Sequence, residues 1–488
     1  MQDRARMDLG RSALDNTRFT CAESDGLWIG IERALDNGHG ALFVTDDAGI
    51  MTGVVRLDHL RAAVRKGAHL DFTRIAEVAV KWDPASNSTT MTPVLDEKNR
   101  IVDVQVHPEA KFLPVSEPDL SHLELRNLID AYLSTWISST GEYVRGFEQA
   151  FAARVGSVHG VATANGTVSL HLALAALGIG EGDEVIVPDF TFAASANVVI
   201  HVGARPVLLD VDPDTWCLSP ETVEKAITSR TRAIMPVHIF GRPAPMTEIA
   251  ALAKAHGLFV IEDCAEAHGA LYDGRPIGSF GDIASFSFYG NKIITTGEGG
   301  ICVTVDPDLA ARMRMLRDHG MRPERRYWHE EPGFNFRMTN LQAAVGCGQL
   351  ERMDELLTMR RSVGAAYEVA LADVPGITFP PAMSARCEPV VWFACALTPA
   401  AKRAELIAAC REANVDLRPF FNSLSSMPAY RRFARACPVS TALARSGVNL
   451  PTFRKVDARM AQIIADIFRR VLGGAREPGP KPSAAGKL

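Results

Sequence analysis

The run FSFYGNKIITTGEGG, residues 286 to 300, places one lysine, Lys292, between a short apolar strand and a glycine-rich turn. A lysine at such an edge can lose part of its hydration, which lowers its pKa and frees a neutral amine to attack an aldehyde and form a Schiff base. Ser287, five residues earlier, offers a hydroxyl, and Gly297, Gly299 and Gly300 permit close approach of backbone to a ligand such as a phosphate. The same run is also compatible with a solvated surface lysine on an ordinary strand and turn. The wider chain has to decide between the two.

Composition narrows the classes. The chain has 488 residues, enough for about three domains. Apolar residues make up 47% and charged residues 22%, as in soluble globular proteins. No stretch reaches the roughly 18 uninterrupted apolar residues of a membrane span, and the first residues lack the apolar core of a signal peptide, so the expected address is cytoplasmic. A net charge of −5 with interspersed signs recommends neither nucleic acid nor membrane as partner. The nine cysteines show no CxxC pairing and read as reduced structural thiols, with no metal site.

Residues 1–17 and 474–488 have the composition of flexible ends, while 18–110 and 112–473 read as two units joined near KFLPVSEPDL. In the larger unit, VIVP, PVLLD, AIMPVHIF and LFVIED read as strands, alternating with helical stretches such as HLALAAL and MTEIAALAKAH. That alternation predicts an α/β fold with a mostly parallel sheet covered on both faces. Ligands of such sheets bind beyond the carboxyl ends of the strands, which selects Asp189 to Phe192, Asp263 and Lys292. From residue 351 a long helix opens a smaller α+β domain, giving expected boundaries of 112–350 and 351–473.

Asn165 to Thr167, VIVPDFTF, IEDCAEAHGA, the lysine run and GFNFRMTNLQAAVGCGQLERMDEL occur in an order that resembles the DegT/DnrJ/EryC1/StrS sugar aminotransferases. The resemblance covers roughly residues 112 to 473 and implies the type I aspartate aminotransferase fold, pyridoxal 5′-phosphate as cofactor, and transfer of an amino group from L-glutamate to a keto nucleotide-sugar. The stretches LPVSEPDL, STWISSTGEYV, RYWHE, RPFF and VNLP are most similar to members that aminate C4 of GDP-4-keto-6-deoxymannose; members using UDP- or dTDP-linked sugars share several of them. Lysine at 292 distinguishes the chain from the 3-dehydratase branch, which has histidine there.

By this resemblance Lys292 is the Schiff-base lysine and the acid and base of proton transfer. Asp263 pairs with the pyridine nitrogen, its residue-level alternative being a helix N-cap. Glu266 lies near the ring hydroxyl, or else is a solvated acid on a following helix. Phe192 stacks on the ring, or is a core aromatic. Backbone N–H groups of Gly166 and Thr167, with Ser287, bind the phosphate. Asn335 reaches that phosphate from a neighbouring subunit of a homodimer with shared active sites, or is a turn residue. Arg326, Tyr327, Trp328 and His329, together with Arg418 and Phe420, line the nucleotide-sugar cleft, or serve packing and interfaces.

The N-terminal unit shows strand, turn, strand and helix in GALFVTDDAGIMTGVVRLDHLRAAV, and strand, turn and strand again in MTPVLDEKNRIVDVQV. It resembles a pair of CBS motifs, modules that often bind adenine nucleotides. Where such modules often carry Thr and Asp for ribose, this chain has Arg56 and His59, and then Val106 and Glu109. A structural or oligomerising role fits these departures as well as ligand binding does. A DNA-binding regulator is disfavoured by the strand-rich, acidic N-terminal unit, and a silent sensor by the presence of Lys292 and Asp263.

Overall fold

The structure is a computed structural model, and it describes residues 16–70, 72–83, 91–106, 112–322 and 324–473. The expected flexible tail 474–488, most of the expected flexible N-terminus and Glu109 lie outside the described residues. Residues 16 and 17, expected to be frayed, belong to a 3-10 helix, Asn16–Phe19. The chain forms two compact units, one of residues 1–111 with 120–125, the other of 112–119 with 126–488.

In the first unit a three-stranded sheet runs Thr20–Ala22, Ala41–Thr45, Met51–Arg56, the first pair parallel and the second antiparallel. Helices Leu27–Asp36 and Leu57–Arg65 accompany it, and Met91–Leu95 pairs with Ile101–Val106 as a hairpin. The two hairpins repeat one turn chemistry. Asp46 Oδ1 accepts from the N–H groups of Ala48 and Ile50, and Asp96 Oδ1 from those of Lys98 and Arg100. Each carries an irregularity at the same place, between Val44 and Thr45 and between Val94 and Leu95. Arg56 is engaged by Asp58 through two bonds of 2.9 Å, which fills the guanidinium fork.

The second unit is built on a seven-stranded sheet. Its spatial order is His159–Thr163, Gly300–Thr304, Ile283–Ser287, Phe259–Asp263, Thr231–Ile234, Glu184–Pro188, Arg205–Leu209. All neighbours are parallel except Gly300–Thr304, which is antiparallel to both of its partners. Both faces are apolar: Ile186 packs with Phe147, Phe151 and Phe286, whereas Val185 and Val187 pack with Leu170, Leu174 and Ile261 on the other side. The strand expected at 233–240 stops at Ile234. Pro236 cannot donate to a ladder, though its carbonyl accepts from Asp263 N–H and Val237 bridges Asp263 before the chain turns into the 3-10 helix Ile239–Gly241.

A three-stranded antiparallel sheet, Ala394–Leu397, Gly447–Leu450, Arg418–Pro419, forms the smaller part. It packs with helices Met353–Leu371, Arg403–Glu412 and Ala458–Leu472 around Tyr367, Leu406, Val448 and Phe468. The segment expected as a linker pairs with this part, Leu113 N–H donating to Asn414 at 2.7 Å and Asp416 N–H to Leu113 at 2.8 Å.

Candidate active site

The strand Phe259–Asp263 ends in a carboxylate. Asp263 is buried, its Oδ2 accepting from Ser195 Oγ at 2.8 Å and its Oδ1 from Ala265 N–H at 3.2 Å. Burial raises its pKa, opposed by those bonds and by the charge of Lys292. Behind it, His238 Nδ1 accepts from Ala244 N–H, so Nε2 donates to Glu262 at 3.3 Å. Glu262 also receives the N–H groups of Gly278, Phe280 and Gly281. His238, Glu262 and Cys264 lie within 4.8 Å of one another, but these internal bonds make them a support for the strand end.

No helix follows Asp263; residues 264–270 form turns. Neither a helix N-cap at Asp263 nor a solvated helical acid at Glu266 is therefore what the chain builds. Glu266 is buried, its Oε2 accepting from Phe240 N–H at 2.8 Å. Phe240 takes φ of 51° there, a backbone conformation unusual for a bulky residue and held by this bond. Burial lifts the Glu266 carboxyl to about 7, against the Lys292 charge and the Phe240 N–H, which both lower it.

Lys292 sits in the loop after Ile283–Ser287, which closes through Phe288 N–H to Gly299 and Thr296 N–H to Phe288. Burial pulls its ammonium below the usual lysine range, while Glu266 and Asp263 act in the opposite direction. Its Nζ is 4.0 Å from the centroid of the Trp392 ring.

Asn165 caps the helix Gly166–Ala176 by accepting from Val168 N–H, which leaves the Gly166 and Thr167 N–H groups at a helix start with no intrahelical acceptor. A Cβ on Gly166 would lie 2.7 Å from the Ser287 Cβ and 3.1 Å from its Oγ, so glycine brings these two candidates together. Gly300 serves the same turn: its Cβ would meet the Asn165 backbone at 2.5 Å. Gly299 would meet Thr296 and Met338, so close approach by these two glycines is to the chain itself. Only Gly297 of the three has positive φ, at 82°.

Phe192 is 57% exposed in the loop after the strand Glu184–Pro188, against Phe421 with centroids 5.7 Å apart, so it presents a ring face and is not a core aromatic. Phe420 is the reverse. It is 3% exposed, enclosed by Phe190, Trp216 and Phe240, and leaves no face for a substrate; Phe421 is the half-buried ring of the pair. Arg418 is exposed and bonds to Asp416 at 3.1 Å. Arg326, Tyr327, Trp328 and His329 occupy an exposed loop between helices Pro307–Arg317 and Asn340–Glu351. Trp328 donates to Glu330 and His329 Nδ1 is 2.8 Å from the His319 carbonyl; among the described residues no hydrogen bond or ring contact ties this loop to Lys292.

The backbone around Asn335 runs beside the turn that leads into the helix Gly166–Ala176, Ala164 N–H donating to the Phe336 carbonyl at 2.8 Å. Asn335 is exposed, and among the described residues its side chain makes no hydrogen bond. Reading the sequence missed Ser195, Phe240, Arg360 and Trp392, which reach the site from 68 or fewer residues away, or from 101 residues away through Trp392 to Asn291. Nothing local in the sequence marks them.

The residues present suit pyridoxal phosphate: an amine of depressed pKa, a buried carboxylate, a glycine-lined helix start and an exposed ring gather at the carboxyl ends of the sheet's strands. Comparison with known proteins agrees. The sequence profile of the DegT/DnrJ/EryC1/StrS aminotransferase family matches residues 118–469. GDP-perosamine synthase of Caulobacter vibrioides is 46% identical over 344 residues, 70% of this chain and 93% of that one. The crystal structure of DesV of S. venezuelae, solved in complex with a ketimine intermediate, is 38% identical with a TM-score of 0.67, covering 71% of this chain and 94% of its own. That of DesI in the presence of its TDP-sugar product is 32% identical with a TM-score of 0.69, covering 74% and 94%. The chain is a member of the DegT/DnrJ/EryC1/StrS family, the pyridoxal phosphate-dependent sugar aminotransferases.

Proposed function

We propose that the protein moves an amino group from L-glutamate to GDP-4-keto-6-deoxymannose, giving GDP-perosamine. The observation that carries the reading is the convergence of Lys292, Asp263 and Glu266 at the carboxyl ends of the sheet's strands in a chain 46% identical to a GDP-perosamine synthase. When bound, pyridoxal phosphate supplies an aldehyde for the amine and a ring that accepts carbanion charge. Lys292 would hold the cofactor through its amine and would be the acid and base that moves the proton at the substrate carbon. Asp263 holds the ring nitrogen protonated, with Ser195 orienting the carboxylate. Glu266 would stand near the ring hydroxyl, the exposed Phe192 would cover the ring, and Gly166, Thr167 and Ser287, brought together at the helix start, would take the phosphate.

Exposure of Asn335 supports its reaching the phosphate of a second copy, so that a homodimer shares its sites. Arg326, Tyr327, Trp328, His329 and Arg418 are assigned to the nucleotide-sugar, with Phe421 in the place of Phe420. The two half-reactions predict ping-pong kinetics, 2-oxoglutarate leaving before the sugar is aminated. Purified protein, cofactor, L-glutamate and the GDP-, UDP- and dTDP-linked 4-keto sugars in separate tubes test the substrate by mass spectrometry. An amino sugar in the GDP tube alone supports the reading; product only in another tube replaces the nucleotide; none anywhere overturns the activity.

The first unit is assigned as a CBS-like pair on its repeated hairpins and on the order strand, helix, strand, strand, helix of residues 20–65. The Arg56–Asp58 pair stands where a ribose contact would be, which favours a structural role. Calorimetric titration with adenine nucleotides tests this, and a saturable binding signal would overturn it.

A further inference from the structure

The Lys292 amine rests on an aromatic surface that is itself fastened. Trp392 Nε1 donates to the Asn291 carbonyl at 2.7 Å, so the indole is tied to the residue preceding the lysine. Its ring stacks on Phe240 at an interplanar angle of 20° and a centroid distance of 6.0 Å, and Phe240 is the residue whose N–H holds Glu266. The Trp392 carbonyl accepts from Arg360 Nη1 at 2.6 Å, and the Lys292 carbonyl accepts from Nη2 of the same guanidinium at 3.1 Å. Arg360 also reaches the Thr452 carbonyl at 3.3 Å.

Arg360, on the helix Met353–Leu371, is buried, and among the described residues no carboxylate forms an ion pair with it. Burial lowers its pKa to about 10. A buried guanidinium without a counter-ion is unfavourable unless its donors are engaged. Here Nη1 and Nη2 reach only backbone carbonyls, two of which belong to Lys292 and Trp392, while Nε has no partner among the described residues. One rigid fork thus sets the distance between the lysine and the ring beneath it.

We propose that Trp392 is a positioning residue whose indole face seats the Lys292 ε-ammonium whenever the amine is not bonded to the cofactor, with Arg360 holding lysine and seat in register. The proposal rests on the reading of Lys292 as the Schiff-base amine. The first half-reaction would release this amine and the second would take it back, and in between its four-carbon stem would otherwise sample many rotamers. A carboxylate seat would bind the ammonium firmly, whereas an aromatic face attracts it weakly and lets it leave as the neutral base. The other ionisable groups acting on Lys292 are Asp263 and Glu266, which favour its charge. His268, held neutral by a pKa of about 3, and the Arg360 cation complete the ionisable surroundings.

The test is competitive acetylation of the full-length, cofactor-free protein across the lysine titration range, read by mass spectrometry of the peptide carrying Lys292. Trp392→Phe keeps a π face and loses the Asn291 bond; Trp392→Leu loses both. The neutral, reactive fraction of Lys292 is expected to rise about fivefold in the Leu variant at a pH below its pKa, and to stay within about twofold of the parent in the Phe variant. An unchanged profile in Trp392→Leu, or equal shifts in both variants, overturns the proposal. Should the Leu variant fail to fold, Trp392→Met fills the space without a π face and is held to the same outcome. Borohydride trapping of pyridoxal phosphate on the parent tests the reading of Lys292 separately, so the two can fail independently.

Discussion

Ser195 Oγ donates to Asp263 Oδ2 at 2.8 Å across 68 residues of chain, joining the helix Ala194–His201 to the end of the strand Phe259–Asp263. This bond aims a buried carboxylate that has no other side-chain hydrogen bond among the described residues. Replacing Asp263 by Asn keeps the shape and removes the charge that would hold the ring nitrogen protonated. Turnover should fall by about two to three orders of magnitude, a loss of the size seen when a preorganised charge-stabilising group is removed. Ser195→Ala should cost about tenfold, as expected for one hydrogen bond to a charged group. Steady-state rates with saturating cofactor measure both; a Ser195→Ala loss equal to that of Asp263→Asn would contradict the hierarchy.

Lys292→Ala should leave the fold intact, because Lys292 is joined to its surroundings largely through its backbone, whose carbonyl meets Arg360. The visible absorbance of the lysine-bound cofactor and all transamination should disappear. Circular dichroism and the absorbance spectrum are the measurements, and appreciable turnover in this variant would remove the lysine from the chemistry.

Glu266 gives stability a pH dependence of defined sign. Its folded pKa of about 7 lies above the ordinary glutamate value, so the folded protein holds a proton that the unfolded chain has already released. The contribution is fully present below the unfolded pKa and is lost as pH rises toward about 7. Lys292 acts in the other direction higher up, where its depressed pKa makes the folded state release its proton first and stability rise with pH. Thermal melts of Glu266→Gln against the parent should therefore differ most in slope between about pH 4.5 and pH 7, the variant being flatter. Parallel slopes would show that Glu266 titrates normally.

Gly166→Ala tests the anion turn. Its Cβ would sit 2.7 Å from that of Ser287, which must shift away from the helix start. Cofactor retention should weaken by about tenfold or more, the equivalent of losing one charge-assisted hydrogen bond, and the cofactor-free protein should also melt lower, because the buried Ser287 cannot yield without moving its strand. Equilibrium dialysis of pyridoxal phosphate measures this, and unchanged affinity would move the phosphate elsewhere.

Local chemistry was enough to place much of the chain. Strand and helix alternation located the strands Glu184–Pro188, Arg205–Leu209 and Phe259–Asp263 and the helices Met246–His256 and Ala458–Leu472, since burial periodicity and backbone hydrogen bonding act over a few residues. The ordered motifs reported the family, whose profile spans residues 118–469. Pro236 interrupted one strand because it has no N–H to donate, although Val237 still bridges Asp263 beyond it.

What tertiary structure alone decided are relations between distant segments. Phe420 and Phe421 are indistinguishable neighbours in sequence, yet one is enclosed by Phe190, Trp216 and Phe240 and the other meets Phe192. Glu266 follows Asp263 in what reads as a helix start, but the chain turns instead and buries it against Phe240. Gly300 looks like a ligand-facing glycine and is required by the Asn165 backbone. Ser195, Arg360 and Trp392 carry no local signature, because their partners are set by which strand ends and helices the topology brings together. Desolvation and hydrogen bonding at the site depend on those meetings, and they exist only once the sheet has formed.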